Sequence, residues 1–136
     1  IVGYFVDPND EKDGWGYFDG ESRLSGQPIT TVAEPYQLLN PDPKVAVLFN
    51  RACGSSGEAI IVAFEERPNT RSFGEPSCGV STANSNFDLG DDYTLWLTVS
   101  TFADRAENSY GGRIPPDVAV TNPDLIWDGV AEWFAE

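Results

Sequence analysis

The chain has 136 residues, a length typical of one domain with its own core. Its 22 acidic and 8 basic side chains give a formal charge of −14. This charge argues against binding of nucleic acid, which needs clustered Lys and Arg, and against adsorption to anionic membranes. No stretch approaches the roughly 20 apolar residues that a membrane-spanning helix requires.

The sequence contains no histidine. Within this chain there is therefore no Ser-His-Asp triad, no Cys-His site and no His-ligated zinc. Cys53 and Cys78 allow one disulfide at most and no structural zinc site. The acidic stretch 7–14 has Lys12 where a calcium loop needs glycine, so it is interpreted as a solvated loop. We expect no cofactor and no metal.

The pattern of apolar residues predicts strands separated by turns rich in Gly, Pro, Asn and Asp. Lys44–Phe49 is the strongest buried strand, because its nearly continuous apolar run suits a sheet covered on both faces. Within residues 93–102, apolar side chains alternate as in a half-exposed strand. The other predicted strands are 1–6, 15–18, 27–32, 70–73, 84–89 and 118–120.

Two helices are predicted. The first follows Ser55 and ends before Pro68, and the second follows Asn122-Pro123. The order strand, helix, strand over residues 44–73 implies a parallel crossover, whereas the later strands suggest antiparallel hairpins. The fold class is therefore mixed α/β. The apolar side of the last helix is expected to carry Leu125, Ile126, Val130, Trp133 and Phe134, with Trp127 also in the core or an interface.

The segment Ser55-Ser56-Gly57-Glu58 has two interpretations. As a capping box, the Ser55 side chain bonds the amide of the third helical residue, and Glu58 reaches back to the Ser55 amide. Alternatively, a serine at a helix N-terminus can attack a carbonyl while nearby amides stabilise the oxyanion. The spacing by itself favours the cap.

Three ordered motifs resemble the tail-specific, or C-terminal processing, serine proteases. Cys53-Gly54-Ser55-Ser56-Gly57-Glu58 after its strand is similar to the family's T-A-S-A-S-E or T-A-S-S-A-E element. Gly74-Glu75-Pro76-Ser77-Cys78-Gly79 resembles the G-E-x-T-x-G turn, and Gly111–Val118 resembles the closing G-x-x-P-D-V element. The resemblance covers roughly residues 40–120.

The resemblance implies part of a ClpP/crotonase-like ββα spiral core, a mixed sheet with a crossover helix and a C-terminal helix. Residues 1–136 would form the C-terminal part of one catalytic domain whose earlier half lies upstream of Ile1. Ser55 would be the nucleophile, and the Ser56 N–H one donor of the oxyanion hole. The implied partner is a polypeptide substrate, and the implied location is extracellular or the cell envelope.

The departures from the family pattern concern the base. The Ser-Lys version places lysine 25 residues after the serine, where this chain has Val80. A branch that includes the nisin resistance protein instead uses a histidine from the earlier half, oriented by the Glu three residues after the serine. Glu58 stands at that position, so this branch fits better, and Glu58 is either the third triad member, the capping carboxylate or both.

The isolated chain is expected to show no measurable turnover, because its base is missing. Apolar surface along Ile1–Val6 and beneath residues 44–49 is expected to promote self-association. The alternative function is that of a noncatalytic, ligand- or peptide-binding member of the same superfamily.

Overall fold

The computed structural model describes residues 38–40 and 42–136 fully, together with the backbone of four earlier strands. Its strands form a six-stranded sheet of order β4-β3-β2-β1-β8-β7 and a three-stranded sheet of order β5-β6-β9. The strands are β1 Tyr4–Val6, β2 Gly14–Phe18, β3 Glu21–Leu24, β4 Gln27–Thr31, β5 Val45–Phe49, β6 Thr70–Gly74, β7 Thr82–Gly90, β8 Tyr93–Ala103 and β9 Val118–Ala119. The helices are α1 Ser56–Phe64 and α2 Ile126–Ala135, the latter preceded by a 3-10 turn.

The three-stranded sheet contains the predicted crossover. β5 and β6 are parallel, with Val45 opposite Thr70 and Phe49 opposite Gly74, and α1 connects them. β9 adds to β6, also in parallel. The carboxyl ends of all three strands therefore meet at one edge, which is where open α/β sheets bind ligands.

Helices cover both faces of this sheet. On one face Phe49 packs with Ile61 and Val62 of α1, and with Phe102 from the other sheet. On the opposite face Phe73 packs with Val130 and Trp133 of α2. The run at 44–49 contacts both helices, as the sequence predicted, but its burial is partial: Phe49 is buried, Val45–Val47 are half-buried and Leu48 is 37% exposed.

The six-stranded sheet is antiparallel and brings distant parts of the chain together. β1 pairs with β2 on one edge and with β8 on the other, where Tyr4 is opposite Ala103. β7 and β8 form the predicted hairpin. β3 was not predicted, because its sequence Glu-Ser-Arg-Leu lacks the β-branched and aromatic residues that mark strands. Parallel and antiparallel strands thus lie in two separate sheets.

The buried side of α2 is narrower than predicted. Val130 and Trp133 are buried and Ile126 is half-buried, whereas Leu125 and Phe134 are exposed. The reason is geometric: at about 100° per residue, residues 126, 130 and 133 lie within about 60° of one another, and residue 134 is turned roughly 70° from the middle of that side. Trp127 is exposed, so the core, one of the two places predicted for it, is wrong, and its predicted place in an interface stays a prediction.

Two predictions lie partly or wholly beyond the described side chains. Residues 7–13 of the acidic stretch are outside the described residues, and so are the side chains of Ile1–Val6. Self-association stays a prediction. Within the described part of the chain, no helix is both long and apolar enough to span a bilayer.

Candidate active site

Ser55 lies in the turn between β5 and α1, at the carboxyl end of the parallel sheet. Its backbone has φ 53° and ψ −117°, a conformation that L-residues rarely adopt. Strain of this kind costs about 1–3 kcal/mol, and it clusters at functional sites. Ser55 is exposed, so its hydroxyl is accessible.

Local hydrogen bonds define the turn that holds Ser55. The Asn50 side-chain oxygen accepts from the Ala52 N–H at 2.9 Å, and the Asn50 carbonyl accepts from the Cys53 N–H at 2.9 Å. The Gly54 carbonyl then accepts from the Gly57 N–H at 3.0 Å, which starts the helix. Asn50 therefore holds the loop in place.

Glu58 is completely buried, and four donors surround its carboxylate. Oε2 accepts from the Ser55 N–H at 2.9 Å and from the Val80 N–H at 3.0 Å. Oε1 accepts from the Ser77 hydroxyl at 2.5 Å and from the Gly79 N–H at 2.8 Å. The reach from Glu58 to the Ser55 amide confirms that part of the capping box. Because a carboxylate has about four acceptor positions, those of Glu58 are filled by its own chain.

Ser77 links the second motif to the third. Its hydroxyl donates to Glu58 and accepts from the Ile114 N–H at 2.9 Å, while its own N–H donates to the Ile114 carbonyl at 3.0 Å. Further along the third motif, the Asp117 carboxylate accepts from the Ser72 N–H at 2.7 Å. Hydrogen bonds through Glu58 and Ser77 thus join all three motifs around the Ser55 turn.

The Ser56 N–H is positioned as an oxyanion donor would be. Ser56 is the first residue of α1, where backbone N–H groups lack intrahelical partners and the helix dipole is positive. Among residues 38–40 and 42–136, the structure gives this N–H no acceptor. An anion beside Ser55 could therefore be stabilised there.

The two cysteines flank the turn as free thiols. The Cys78 N–H donates to the Cys53 carbonyl at 2.8 Å. Cys53 is half-buried against the core, and burial, followed by the negative charge of Glu58, raises the pKa of its thiol. A raised pKa disfavours the thiolate, so Cys53 is a poor nucleophile beside Ser55.

The position of the family's lysine holds Val80, whose N–H donates to Glu58. In this chain, residue 80 therefore contributes to the turn through its backbone N–H.

No group of three or more metal-ligating side chains occurs in the part of the molecule that the structure describes. The turn offers the Ser55 hydroxyl and the Ser56 backbone N–H, and the sequence contains no histidine.

A cleft of about 690 Å³ opens at the carboxyl ends of β5, β6 and β9. Leu48, Val120, Ile126 and Trp127 provide its apolar side, and the loop from Asn50 to Cys53, which ends two residues before Ser55, lines another part of it. Arg51 lies on the same rim and pairs with Glu75, 3.7 Å away. Sequence reasoning missed Trp127 as a cleft residue, because helical periodicity does not show which sheet edge a helix approaches.

Comparison with known proteins identifies the family. The model of peptidase family S41 matches residues 11–120. A nisin-resistance protein of Lactococcus lactis subsp. lactis is 38% identical over 79 residues, which cover 57% of this chain and 25% of that protein. The chain thus spans a quarter of the length of this curated relative.

Two solved structures resemble the fold. A lipoprotein from Streptococcus agalactiae matches 98% of this chain and 44% of its own, with TM-score 0.62 and 22% identity. Mature CPAF complexed with lactacystin matches 74% of this chain and 20% of its own, with TM-score 0.50 and 18% identity. The fold class predicted from sequence, mixed α/β, is confirmed. With the family model matching residues 11–120, the chain belongs to peptidase family S41, as its three motifs predicted.

Proposed function

We propose that this chain carries the nucleophile of a serine endopeptidase, and that Ser55 is that nucleophile. The observation that carries the proposal is the backbone of Ser55, strained at φ 53° and ψ −117° at the start of α1 and held there by a buried carboxylate. Membership of family S41 supports a peptidase. A cap alone needs no such strain, because cap residues normally have extended backbone angles.

In the proposed reaction, Ser55 Oγ attacks the carbonyl carbon of a peptide bond and passes its proton to a base. The Ser56 N–H donates to the oxyanion, and removing such a donor typically costs about 10²–10³-fold in kcat. The protonated base then gives its proton to the leaving amine, and water hydrolyses the ester on Ser55. The proposed base is a histidine from an earlier part of the domain, as the resemblance to the histidine-using branch implies.

Glu58 is proposed as a positioning residue. Its four filled acceptor positions favour the role of holding the Ser55 turn over that of orienting a histidine. A role for Glu58 as third triad member stays a prediction.

The isolated chain is expected to show no measurable turnover, because it lacks the base. Residues 1–136 are proposed to be the C-terminal part of a larger catalytic domain with the ClpP/crotonase-like spiral core.

The cleft at the strand ends is proposed to hold apolar side chains of the polypeptide substrate, because it is open, lined by Trp127 and Ile126, and adjacent to the Ser55 loop. We place the protein extracellularly or in the cell envelope. This location is supported by its likeness to a nisin-resistance protein and to a lipoprotein.

The intact gene product allows a matched test with two adjacent serines. Incubated with a proteome-derived peptide library, the Ser55→Ala protein is expected to lose cleavage by at least about 10⁴-fold, since nucleophile and base act as a unit. Ser56→Ala keeps the backbone N–H and should retain most cleavage. Undiminished cleavage by Ser55→Ala, read by mass spectrometry of the products, would sink the proposal. Peptide binding without cleavage by the unsubstituted protein would instead favour the noncatalytic alternative.

A further inference from the structure

The β7–β8 hairpin carries apolar side chains that the fold leaves uncovered. Cross-strand pairing places Phe87 opposite Leu95 and Ser85 opposite Leu97, so Phe87, Leu95 and Leu97 share one face. These three side chains are 44%, 42% and 49% exposed. We call this set the apolar face. Closer to the body of the protein, Val99 and Phe102 of the same strand are half-buried and buried, so exposure is confined to the outer part of the hairpin.

The other face of the hairpin is polar and acidic. Trp96 is opposite Asn86, and Asp88 is opposite Thr94, which puts these side chains on one side. Trp96 is 68% exposed. Together with Asp91 and Asp92 at the tip, Asp88 helps to line an open concavity of about 480 Å³. Residues 82–103 contain these three aspartates and no Lys or Arg. We call the side of the hairpin that carries Trp96 and these aspartates the acidic face.

The backbone of β7 is available for pairing. β7 lies at the end of the six-stranded sheet, so one of its edges has no neighbouring strand among the strands the structure contains. An extended peptide can add to such an edge through main-chain hydrogen bonds. Side chains of the added strand would alternate, one set beside the apolar face and the other beside the acidic face.

We propose that the outer β7–β8 hairpin binds an extended polypeptide in which apolar and basic residues alternate, by addition of that segment as a strand along β7. The apolar residues contact Phe87, Leu95 and Leu97. The basic residues contact the carboxylates of Asp88, Asp91 and Asp92, and Trp96 offers its ring to a cation. Charge complementarity selects this partner over a second copy, because two chains of charge −14 would bring like-charged tips together.

The hairpin begins close to the candidate active site. Val80, which donates its N–H to Glu58, is two residues before the first residue of β7. Asp88 is six residues beyond that start, or roughly 20 Å along an extended strand. A segment docked on the hairpin therefore leads toward the Ser55 turn. The docked peptide is then the substrate of the proposed peptidase, so this inference rests on the proposed function and adds the class of substrate to it.

Binding is measured on protein with Ser55→Ala, so that cleavage does not interfere. The probe is a fluorescein-labelled decapeptide of alternating valine and lysine, followed by fluorescence anisotropy. We expect saturable binding that weakens at high salt, and that weakens by about tenfold in Leu95→Thr/Leu97→Thr because two partly exposed leucines lose their contact. Asp88→Asn should weaken it too. Leu125→Gln, which removes an exposed leucine elsewhere, is the matched control and should leave affinity unchanged.

Three results would overturn the inference. The first is that a decapeptide of alternating valine and glutamate binds as tightly as the valine–lysine decapeptide. The second is that both hairpin variants, Leu95→Thr/Leu97→Thr and Asp88→Asn, bind the valine–lysine decapeptide with unchanged affinity. The third is full affinity for a valine–lysine decapeptide whose alternate amides are N-methylated. A concentration-dependent dimer that disappears in Leu95→Thr/Leu97→Thr would assign the surface to a second copy instead. None of these results depends on whether Ser55 is a nucleophile, so failure of docking and failure of catalysis are distinguishable.

Discussion

Replacing Glu58 by alanine is expected to lower the free energy of unfolding by at least about 3 kcal/mol, since three part-buried backbone N–H groups lose a buried acceptor at roughly 1 kcal/mol or more each. The three donors belong to Ser55, Gly79 and Val80. The Ser77 hydroxyl loses a fourth hydrogen bond, although it can rotate toward another acceptor. Total stabilities are typically only about 5–15 kcal/mol, so the variant should be visibly destabilised in urea.

Glu58→Gln separates loss of hydrogen bonding from loss of volume. Its amide nitrogen would face N–H donors where the carboxylate now has an oxygen, so we expect a loss close to that of alanine in spite of the conserved shape. Glu132→Ala, at an exposed position of α2, is the control and should change stability by less than about 0.5 kcal/mol. A loss below about 1 kcal/mol in Glu58→Ala would contradict the four-donor network.

Gly74→Ala is expected to destabilise the protein by at least about 3 kcal/mol, or to prevent folding, because both its space and its backbone angle exclude a side chain. A Cβ at Gly74 would overlap the Phe49 carbonyl oxygen, and φ is 133°. That carbonyl accepts from the Glu75 N–H, and Gly74 itself accepts from the Val120 N–H. The clash would therefore separate β5, β6 and β9 at the edge where the site lies.

Two other glycines serve as graded controls. Gly90 has φ 80°, and no atom lies within 4 Å of where a methyl group would stand, so Gly90→Ala should cost only the conformational penalty of about 1 kcal/mol. Gly112 has open space and no positive φ, and Gly112→Ala should be nearly neutral. Thermal melts of the three variants should rank them in this order. A Gly74→Ala melt equal to that of Gly90→Ala would show that the close approach to Phe49 is relieved at low cost.

The elements predicted best were those whose sequence signals are local. The apolar run Val45–Phe49 packs toward α1 on one side and α2 on the other, and the helix predicted after Ser55 begins there, with the Glu58 side chain accepting from the Ser55 amide. The alternation in residues 93–102 predicted the strand, but its half-exposed character was wrong for the outer part, where Leu95 and Leu97 are exposed as well as Trp96. The three motifs predicted the family, whereas the hydrogen bonds that join Glu58 to Ser77, and Ser77 to Ile114, were revealed by the structure.

What the sequence did not reveal depends on long-range packing. The pairing of β1 with β8 joins residues almost 100 positions apart, and no local pattern encodes it. The positive φ of Ser55 is imposed by the Glu58 network, because serine has no intrinsic preference for that region. Trp127 was predicted to lie in the core or an interface, because helical periodicity does not show that α2 contacts the sheet through Val130 and Trp133. The exposure of Leu95 and Leu97 likewise required knowing that the hairpin extends beyond β1.

The most direct measurement of the central claim is the site of reaction with a fluorophosphonate in the intact gene product. Attack by Ser55 Oγ on phosphorus would displace fluoride and leave a stable phosphonate ester, which peptide mass spectrometry locates to one residue. We expect the adduct on Ser55, its loss in Ser55→Ala or after denaturation, and its retention in Ser56→Ala. An adduct confined to another serine, or labelling that persists in Ser55→Ala, would contradict the assignment of Ser55 as the nucleophile.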